Sequence, residues 1–475
     1  MKRFPACGSL VSLAAIFVGC SLGPEYSRST LELPATYYES APSGDSIANL
    51  PWWEFFGDTT LQTLIRHALA ENKDLRIASC RVAEVRALLG AARSAQYPSV
   101  DLSGNATRFD SSEKVLAFEF QPRNDFGLFG DIFFELDVWG KLRRATQADQ
   151  ARLLSTEYAY RAVNISLVSA VAQSYFAILD LDNRLSISQH TVENRKNATA
   201  LIRTRFKGGV IPEIDVNQAE IEEADALAKA ASVERELRIV ENALSVLLGR
   251  MPHKISRGKP LEAQQFLAEL AVRYPAELIE RRPDILAAEE AVRAATAEVG
   301  VAQAERLPSL SLTGFIGLES RDESGLFKGD ARTWNIGGNL LGPLLDFGKR
   351  RHLAEAAQAR AEQGYRTYEQ TVLRAVQEVE DALISIRTYR AQHEALIMLS
   401  RAAANAARLS RARYNDGISQ YLEVLDTERS LFDAELSASA ALRSYLNSIV
   451  TLYKALGGGW SEQDTAKNYS PSYLN

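Results

Sequence analysis

Two hydrophobic rhythms follow one another along this chain. At residues 99–106, Ser-Val-Asp-Leu-Ser-Gly-Asn-Ala alternates polar and apolar, and at 131–139 Ile132, Phe134, Leu136 and Val138 face away from Asp131, Glu135 and Asp137. Period two with one greasy and one polar side predicts half-buried strands. From residue 141 to about 205 the period changes. Ala162, Ile165, Ser169, Ala172, Phe176 and Leu179 step by threes and fours, and a second seam runs beside them through Val163, Leu167, Ala170, Ser174, Ala177 and Leu181. Seams this long, uninterrupted by proline, predict a long helix in coiled-coil packing. Two alanine-rich seams side by side predict neighbours on both flanks, as in a wall of helices closed into a tube. About 65 residues at roughly 1.5 Å each make a rod of about 100 Å. The pattern turns at Lys207-Gly208-Gly209-Val210-Ile211-Pro212, returns through Leu237, Val240, Leu244 and Leu247, and stops at Gly249, a C-cap.

The whole sequence of rhythms then repeats. Asp74-Leu75 returns 210 positions on as Asp284-Ile285, Gly90 as Gly300, and Tyr97-Pro98-Ser99 as Leu307-Pro308-Ser309. Trp139-Gly140-Lys141 returns 208 positions on as Phe347-Gly348-Lys349, Arg205-Phe206 as Arg413-Tyr414, Gly209 as Gly417 and Leu248-Gly249 as Leu456-Gly457. The second β patch, Ser309-Leu310-Ser311-Leu312-Thr313-Gly314-Phe315-Ile316, alternates likewise, as do Trp334, Ile336, Gly338 and Leu340 against Asn335, Gly337 and Asn339. The second coil carries Val372, Ala375, Val379, Ala382, Ile386 and Tyr389, and its return Leu442, Tyr445, Ile449, Leu452 and Leu456. Two equivalent halves make a pseudo-symmetric object, which favours architecture over a catalytic site. In both halves the turn lies at the same distance from the β patch, so both turns are expected at the far end of the rod.

These patterns divide the chain as follows. Residues 1–19 form a signal segment, 20–58 an extended tether, 59–98 the first short helices, 99–139 a first strand pair and 140–250 a first long helical pair. Residues 251–308 form a linker and helix, 309–347 a second strand pair, 348–458 a second long helical pair and 459–475 a tail. In the short helix, Leu61, Leu64, Ile65, Ala68 and Leu69 share a face, with Asp58 or Thr59 as cap. Strands of about ten residues cross a bilayer when tilted by about 45°. Four strands cannot close a barrel and lipid tolerates no open edge, so a membrane barrel requires several chains, and three would supply twelve strands. A water-exposed sheet packed on helices fits the same alternation.

Composition narrows the function. Lys2 and Arg3 precede an apolar stretch at residues 10–18 that suits a signal h-region and is too short to span a bilayer. Without those two charges the formal net charge of −6 becomes −8, which argues against nucleic acid as a partner. Beyond the signal no apolar run of 18 residues is evident, so any membrane crossing is expected from strands. The five histidines sit far apart, no phosphate-cradling glycine loop occurs, and no nucleophile stands beside a base, which leaves little room for metal, nucleotide or hydrolytic chemistry. Cys80 is expected as a small packed side chain in a helix.

Phe17-Val18-Gly19-Cys20 resembles the bacterial lipoprotein cleavage box, with an ordinary signal peptide and an incidental cysteine as the alternative. With Cys20-Ser21-Leu22-Gly23-Pro24-Glu25-Tyr26, Trp52-Trp53, Phe56-Gly57-Asp58, Glu280-Arg281-Arg282-Pro283-Asp284-Ile285, Arg413-Tyr414-Asn415-Asp416-Gly417 and Leu422-Glu423-Val424-Leu425-Asp426, the chain resembles TolC-type outer-membrane efflux factors, more narrowly the NodT-type lipoproteins. The resemblance covers essentially all of the mature chain. It implies an α+β membrane protein: a homotrimer whose twelve-stranded β-barrel in the outer membrane, four strands per chain, continues as a long α-helical coiled-coil barrel. It implies covalent lipid on Cys20 as the only attached group, and outer-membrane sorting from Ser21. As partners it implies a periplasmic membrane-fusion adaptor and an inner-membrane RND-type pump, so that the chain is a passive, non-enzymatic export duct for drugs and toxic compounds. A periplasmic lipoprotein scaffold of coiled coil without a pore is the competing reading.

The same resemblance assigns residues. An aromatic three before the turn glycine and acids six and nine after it form the family's closed gate; here they are Tyr414, Glu423 and Asp426, with first-half counterparts Phe206, Asp215 and Gln218. Ser419 stands where one branch carries Arg. Threefold symmetry would gather such carboxylates into rings that favour cations; on the residues alone, a solvated helix face is the equal alternative. In the strands, Asp131, Glu135 and Asp137 are expected to line the barrel lumen and Trp139 to sit in an interfacial aromatic girdle.

Overall fold

A computed structural model describes residues 21–28, 32–39, 50–110, 122–264, 266 and 275–458. The signal segment, Cys20 and the tail lie outside them. The chain divides into two compact units, one of residues 1–31, 81–157 and 287–369, the other of residues 32–80, 158–286 and 370–475. The short helices are α1 (Trp52–Phe55), α2 (Thr59–Glu71), α3 (Lys73–Ser94), α6 (Glu277–Arg281) and α7 (Pro283–Ala304). The long ones are α4 (Lys141–Lys207), α5 (Glu213–Leu247), α8 (Lys349–Asn415) and α9 (Tyr421–Ala455). Equivalent helices match in length: 22 residues in α3 and α7, 67 in α4 and α8, and 35 in α5 and α9.

In the first unit, β1 (Ser99–Phe109), β2 (Arg123–Leu136), β3 (Ser309–Ser320) and β4 (Arg332–Leu341) form one antiparallel sheet in sequence order. The register pairs Asp101 with Asp131, Asp131 with Phe315, and Phe315 with Asn335. It therefore places odd-numbered residues of all four strands on one face and even-numbered residues on the other. The odd face carries Asp101, Ser103, Asn105, Asp131, Glu135, Ser311, Thr313 and Asn339; the even face carries Leu102, Leu128, Ile132, Leu312, Ile316 and Ile336. β2 ends at Leu136, two residues earlier than Val138 and three earlier than Trp139, which the alternation had placed in the strand.

The second unit has a continuous helical core. The expected first seam of α4 is buried at Ile165, Ser169, Ala172, Phe176 and Leu179, and Val168, Val171, Tyr175 and Ile178 are buried between the seams. One correction follows. α4 does contain an 18-residue window of mean hydropathy 1.6, long and apolar enough to cross a membrane by composition, and half of it is buried within the chain. Its apolarity is explained by neighbours on several sides of one helix.

Around this core Trp52–Phe55 form a turn of helix, α1, within the 20–58 stretch expected as an extended tether. Phe55 stacks on Tyr453 at 4.5 Å and Tyr453 donates its hydroxyl to the Leu50 carbonyl at 2.6 Å. Asp58 caps α2 through the Thr60 and Leu61 amides. Cys80 is exposed on α3, not packed, because that helix buries its Leu75, Val82 and Leu89 side instead.

The C-termini of the return helices meet side chains at equivalent places in the two repeats. Asn72 donates Nδ2 to the Leu247 carbonyl of α5 at 2.9 Å, and Arg282, 210 positions on, donates Nη1 to the Ala455 carbonyl of α9 at 2.9 Å. Both satisfy a carbonyl that a helix end leaves without a partner.

Candidate functional site

The long helices reverse at 208–212 and 416–420, and glycine makes each reversal possible. Gly209 has φ +68° and Gly417 φ +73°, in the left-handed region that side chains resist. Gly209 donates to the Phe206 carbonyl and Val210 to that of Arg205; Gly417 and Ile418 repeat this with Tyr414 and Arg413. These paired bonds close the helices as Schellman motifs.

The two turns pack on each other. Ile202 of α4, Val216 and Ala219 of α5, and Tyr421, Val424 and Leu425 of α9 form a buried cluster, with Ile211 and Tyr414 against it. Tyr414 and Tyr421 lie 5.3 Å apart, and the Arg205 guanidinium sits over the Tyr414 ring at 5.2 Å. Burial, with the nearby Glu428 charge, pushes the Tyr421 phenol up to about 12. Of the six residues singled out in the sequence, Tyr414 joins this cluster. Asp215 and Gln218 are half-buried on α5, one turn apart. Glu423 and Asp426, their counterparts on α9, are exposed, and Glu423 pairs with Arg413 at 3.2 Å. Phe206 is 40% exposed and lies outside the cluster. The Ser419 hydroxyl is buried without a hydrogen-bond partner.

A buried ionic network joins all four long helices. Arg195 of α4 reaches Glu222 of α5 at 3.4 Å and Glu428 of α9 at 3.5 Å. Arg411 of α8 closes on Glu428, and Arg429 of α9 on Glu222. Beside it α4, α8 and α9 leave a groove of about 500 Å³ lined in part by His190, Asn194 and Arg408. Sequence reading missed this network, although a signal existed: Ser188, Arg195, Thr199 and Ile202 hold core spacing on α4, and three of the four are polar. Desolvation offsets much of the attraction in a buried ion pair, so the network by itself is weak evidence for stability.

On the sheet, Asp131 accepts a hydrogen bond from the Ser103 hydroxyl across the β1–β2 ladder. Glu135 pairs with Lys141 at 2.5 Å. Asp137 departs from its expected place on the strand. It lies past the end of β2, accepts the Leu142 and Arg143 amides at 3.0 and 2.9 Å, and pairs with the Arg143 guanidinium, so it caps the N-terminus of α4. A carboxylate one residue beyond a strand and four before a helix finds the helix amides first. Trp139 donates its indole N–H to the Pro308 carbonyl at 2.7 Å, tying together the chain's exit from one strand pair and its entry to the other.

The even face of the sheet is bare. Leu102, Ile316, Trp334, Ile336 and Leu340 are each more than two-thirds exposed, and among the described residues β1 and β4 each pair on one side only. A soluble protein seldom leaves so large an apolar surface open. The chain thus combines one antiparallel sheet with duplicated pairs of long helices. The family model for outer membrane efflux proteins matches residues 64–250 and 274–458, and the chain belongs to that family. It is 33% identical to the outer membrane protein OprJ of Pseudomonas aeruginosa over 97% of each chain. It is 32% identical to the toluene efflux pump outer membrane protein TtgC of Pseudomonas putida over 98% of each. The solved CmeC outer membrane channel of Campylobacter jejuni superposes with a TM-score of 0.88 at 26% identity, over 95% of this chain and 98% of that one. The protein is therefore an efflux component of the bacterial outer membrane, in a family of channels and not of enzymes.

Proposed function

We propose that three copies of this chain close their sheets into a twelve-stranded barrel continued by a coiled-coil tunnel. The trimer is then a passive duct through which an inner-membrane RND-type pump, coupled by a periplasmic adaptor, expels drugs and other toxic small molecules. The observation that carries this reading is the parity of the sheet. Most exposed aliphatic residues collect on the even face and most polar ones on the odd face, where Phe129, Phe133 and Phe315 also stand, and among the described residues both edges stay unpaired in a single chain. Lipid accepts such a sheet only when its edges are closed, and closure here takes more than one chain. Cys20 carries the lipid anchor in this scheme, and Asp131 and Glu135 line the lumen.

Parity supplies the test. Leu312→Arg puts a charge on the lipid side and costs about 2 kcal/mol per site near mid-bilayer. Thr313→Arg, one residue on, faces water. Heat-resistant trimers recovered from outer membranes should fall sharply for Leu312→Arg and stay near wild type for Thr313→Arg; equal behaviour of the two would exclude a membrane barrel and favour the scaffold reading.

The helical turns are the gate of this duct. Tyr414 packs into the cluster that holds the two turns together; Asp215 and Gln218 lie on α5 and Glu423 and Asp426 on α9, the helices that supply the cluster, and Phe206 stays outside it. Replacing Glu423 and Asp426 together with Ala removes exposed charges, so global stability changes by less than about 1 kcal/mol. The closed state loses comparable energy, which raises the open fraction about fivefold. Single-channel recordings and vancomycin uptake read this directly, and unchanged conductance would remove these acids from the gate.

A further inference from the structure

We propose that the polar face of the sheet carries a contact site for organic cations with an aromatic body, formed by Phe129, Phe133 and Phe315 around Asp131. The proposal rests on the reading of the odd face as the wall of the duct and adds which cargo that wall engages. Parity accounts for the polar residues of the odd face. It leaves these three phenyls over, at positions where water favours a polar side chain.

The strand register places them around one carboxylate. Phe129 and Phe133 stand two residues before and after Asp131 on β2, and Phe315 of β3 lies directly opposite it. Same-face neighbours along a strand are about 6.7 Å apart and cross-strand partners about 5 Å, so one ligand reaches all three rings. The rings are also fitted to the sheet. Phe129 and Phe315 meet edge to face, with 5.2 Å between centroids and 74° between planes. The Phe129 ring lies over Gly127 and Gly317, and a Cβ at either glycine would collide with it. Glycines on two neighbouring strands thus make the bed that holds this ring, while Phe133 stays 48% exposed.

Charge fixes the sign of the ligand. Asp131 faces Asp101 across the β1–β2 ladder and accepts the Ser103 hydroxyl; among the described residues no cationic side chain pairs with it. The odd face holds five carboxylates, Asp101, Asp125, Asp131, Glu135 and Glu319, against one arginine among the described residues. That arginine, Arg123, lies over the Phe109 ring at 4.6 Å, about 27 Å along β2 from Asp131. Phenyl faces attract a cation, a carboxylate beside them adds a full charge, and a bound cation relieves two like charges set opposite each other. A flat aryl ammonium meets both demands. An aromatic anion is repelled, and a small hydrated cation gains little from the rings. The site lies open on one side, so cargo is held weakly enough to leave, as conduction requires.

The test is block of single channels of the purified full-length protein by ethidium, in planar bilayers at neutral pH. Tetramethylammonium serves as a cation without aromatic body and naphthalenesulfonate as an aromatic anion. Wild type should show brief ethidium closures that neither control produces at equal concentration. Phe129→Leu with Phe315→Leu should weaken the ethidium block about tenfold, the loss of two exposed cation–ring contacts, with potassium conductance unchanged. Asp131→Asn, which keeps the shape, should weaken it about fivefold. Asp125→Asn removes the same charge about 20 Å along the strand and should leave the block near wild type. Equal effects of the two Asp variants, or a block that the phenyl pair leaves unchanged, would overturn the site and leave only the overall charge of the lumen. Where the phenyl pair costs assembly, the comparison of Asp131→Asn with Asp125→Asn decides alone. A wild-type protein that opens no pore would instead overturn the duct reading, and the site with it.

Discussion

Arg282→Ala is expected to destabilise the helical unit by about 4 kcal/mol, the scale for removing one member of a buried, multiply bonded charge group. The guanidinium is buried, and its fork reaches the Ala455 carbonyl at 2.9 Å, Asp284 at 2.7 Å and Glu378 at 2.8 Å. Burial by itself lowers the arginine's pKa, but the two carboxylates outweigh it and the net shift is upward, so the group stays charged. Alanine leaves the end of α9 without this donor, removes the cation between Asp284 and Glu378 and opens a cavity. Arg282→Lys recovers only part, because a point charge cannot bridge a carbonyl and two carboxylates that a planar fork spans. Thermal melts in detergent, with hydrogen exchange at residues 450–456, read the loss. A melting temperature unchanged in Arg282→Ala would mean that α9 is held by packing alone.

Asp58→Ala follows, at about 3 kcal/mol, because several buried donors lose one acceptor together. Asp58 takes the Thr60 amide at 2.8 Å, the Tyr175 hydroxyl at 2.9 Å, the Lys259 amide at 3.1 Å and Gln264 Nε2 at 2.8 Å. Burial raises its pKa, yet these bonds stabilise the carboxylate more, and the net shift is downward. A group whose folded pKa lies below its unfolded value, about 3.9 for aspartate, contributes stability that is full above that value. The contribution is lost as pH falls from there through the lower folded pKa. Wild type and Asp58→Asn should therefore differ most at neutral pH and converge in strong acid. A gap that persists undiminished at the lowest pH would show that shape, not charge, accounts for the residue.

The two substitutions bear on how far the sequence could be read. Both residues stand in the stretches that carry the family resemblance, Phe56-Gly57-Asp58 and Arg281-Arg282-Pro283-Asp284, yet beyond the cap expected of Asp58 and found on α2 neither was assigned a partner. Their partners, Tyr175, Lys259, Ala455 and Glu378, lie far along the chain. The Arg195 network was invisible for the same reason, since its acids come from α5 and α9. Asp137 was misplaced because alternation alone cannot say where a strand ends and the next helix begins to compete for a carboxylate. Tyr414 was singled out by the family resemblance, and locality does not explain its place in the cluster: Phe206 stands three residues before Gly209 in the same way and lies outside it.

What the sequence determined by itself is whatever repeats at short range: two equivalent halves, strands of period two, helices of heptad period, and glycine at each reversal. Backbone geometry imposes those periods residue by residue, so no distant partner is needed to see them. Only the tertiary structure decided which polar groups meet, that Asn72 and Arg282 close equivalent helix ends by different chemistry, and that Phe129 and Phe315 meet across two strands on the polar face. Hydrogen bonds and ion pairs act over a few ångströms and depend on register between elements, and that register exists only once the helices have packed.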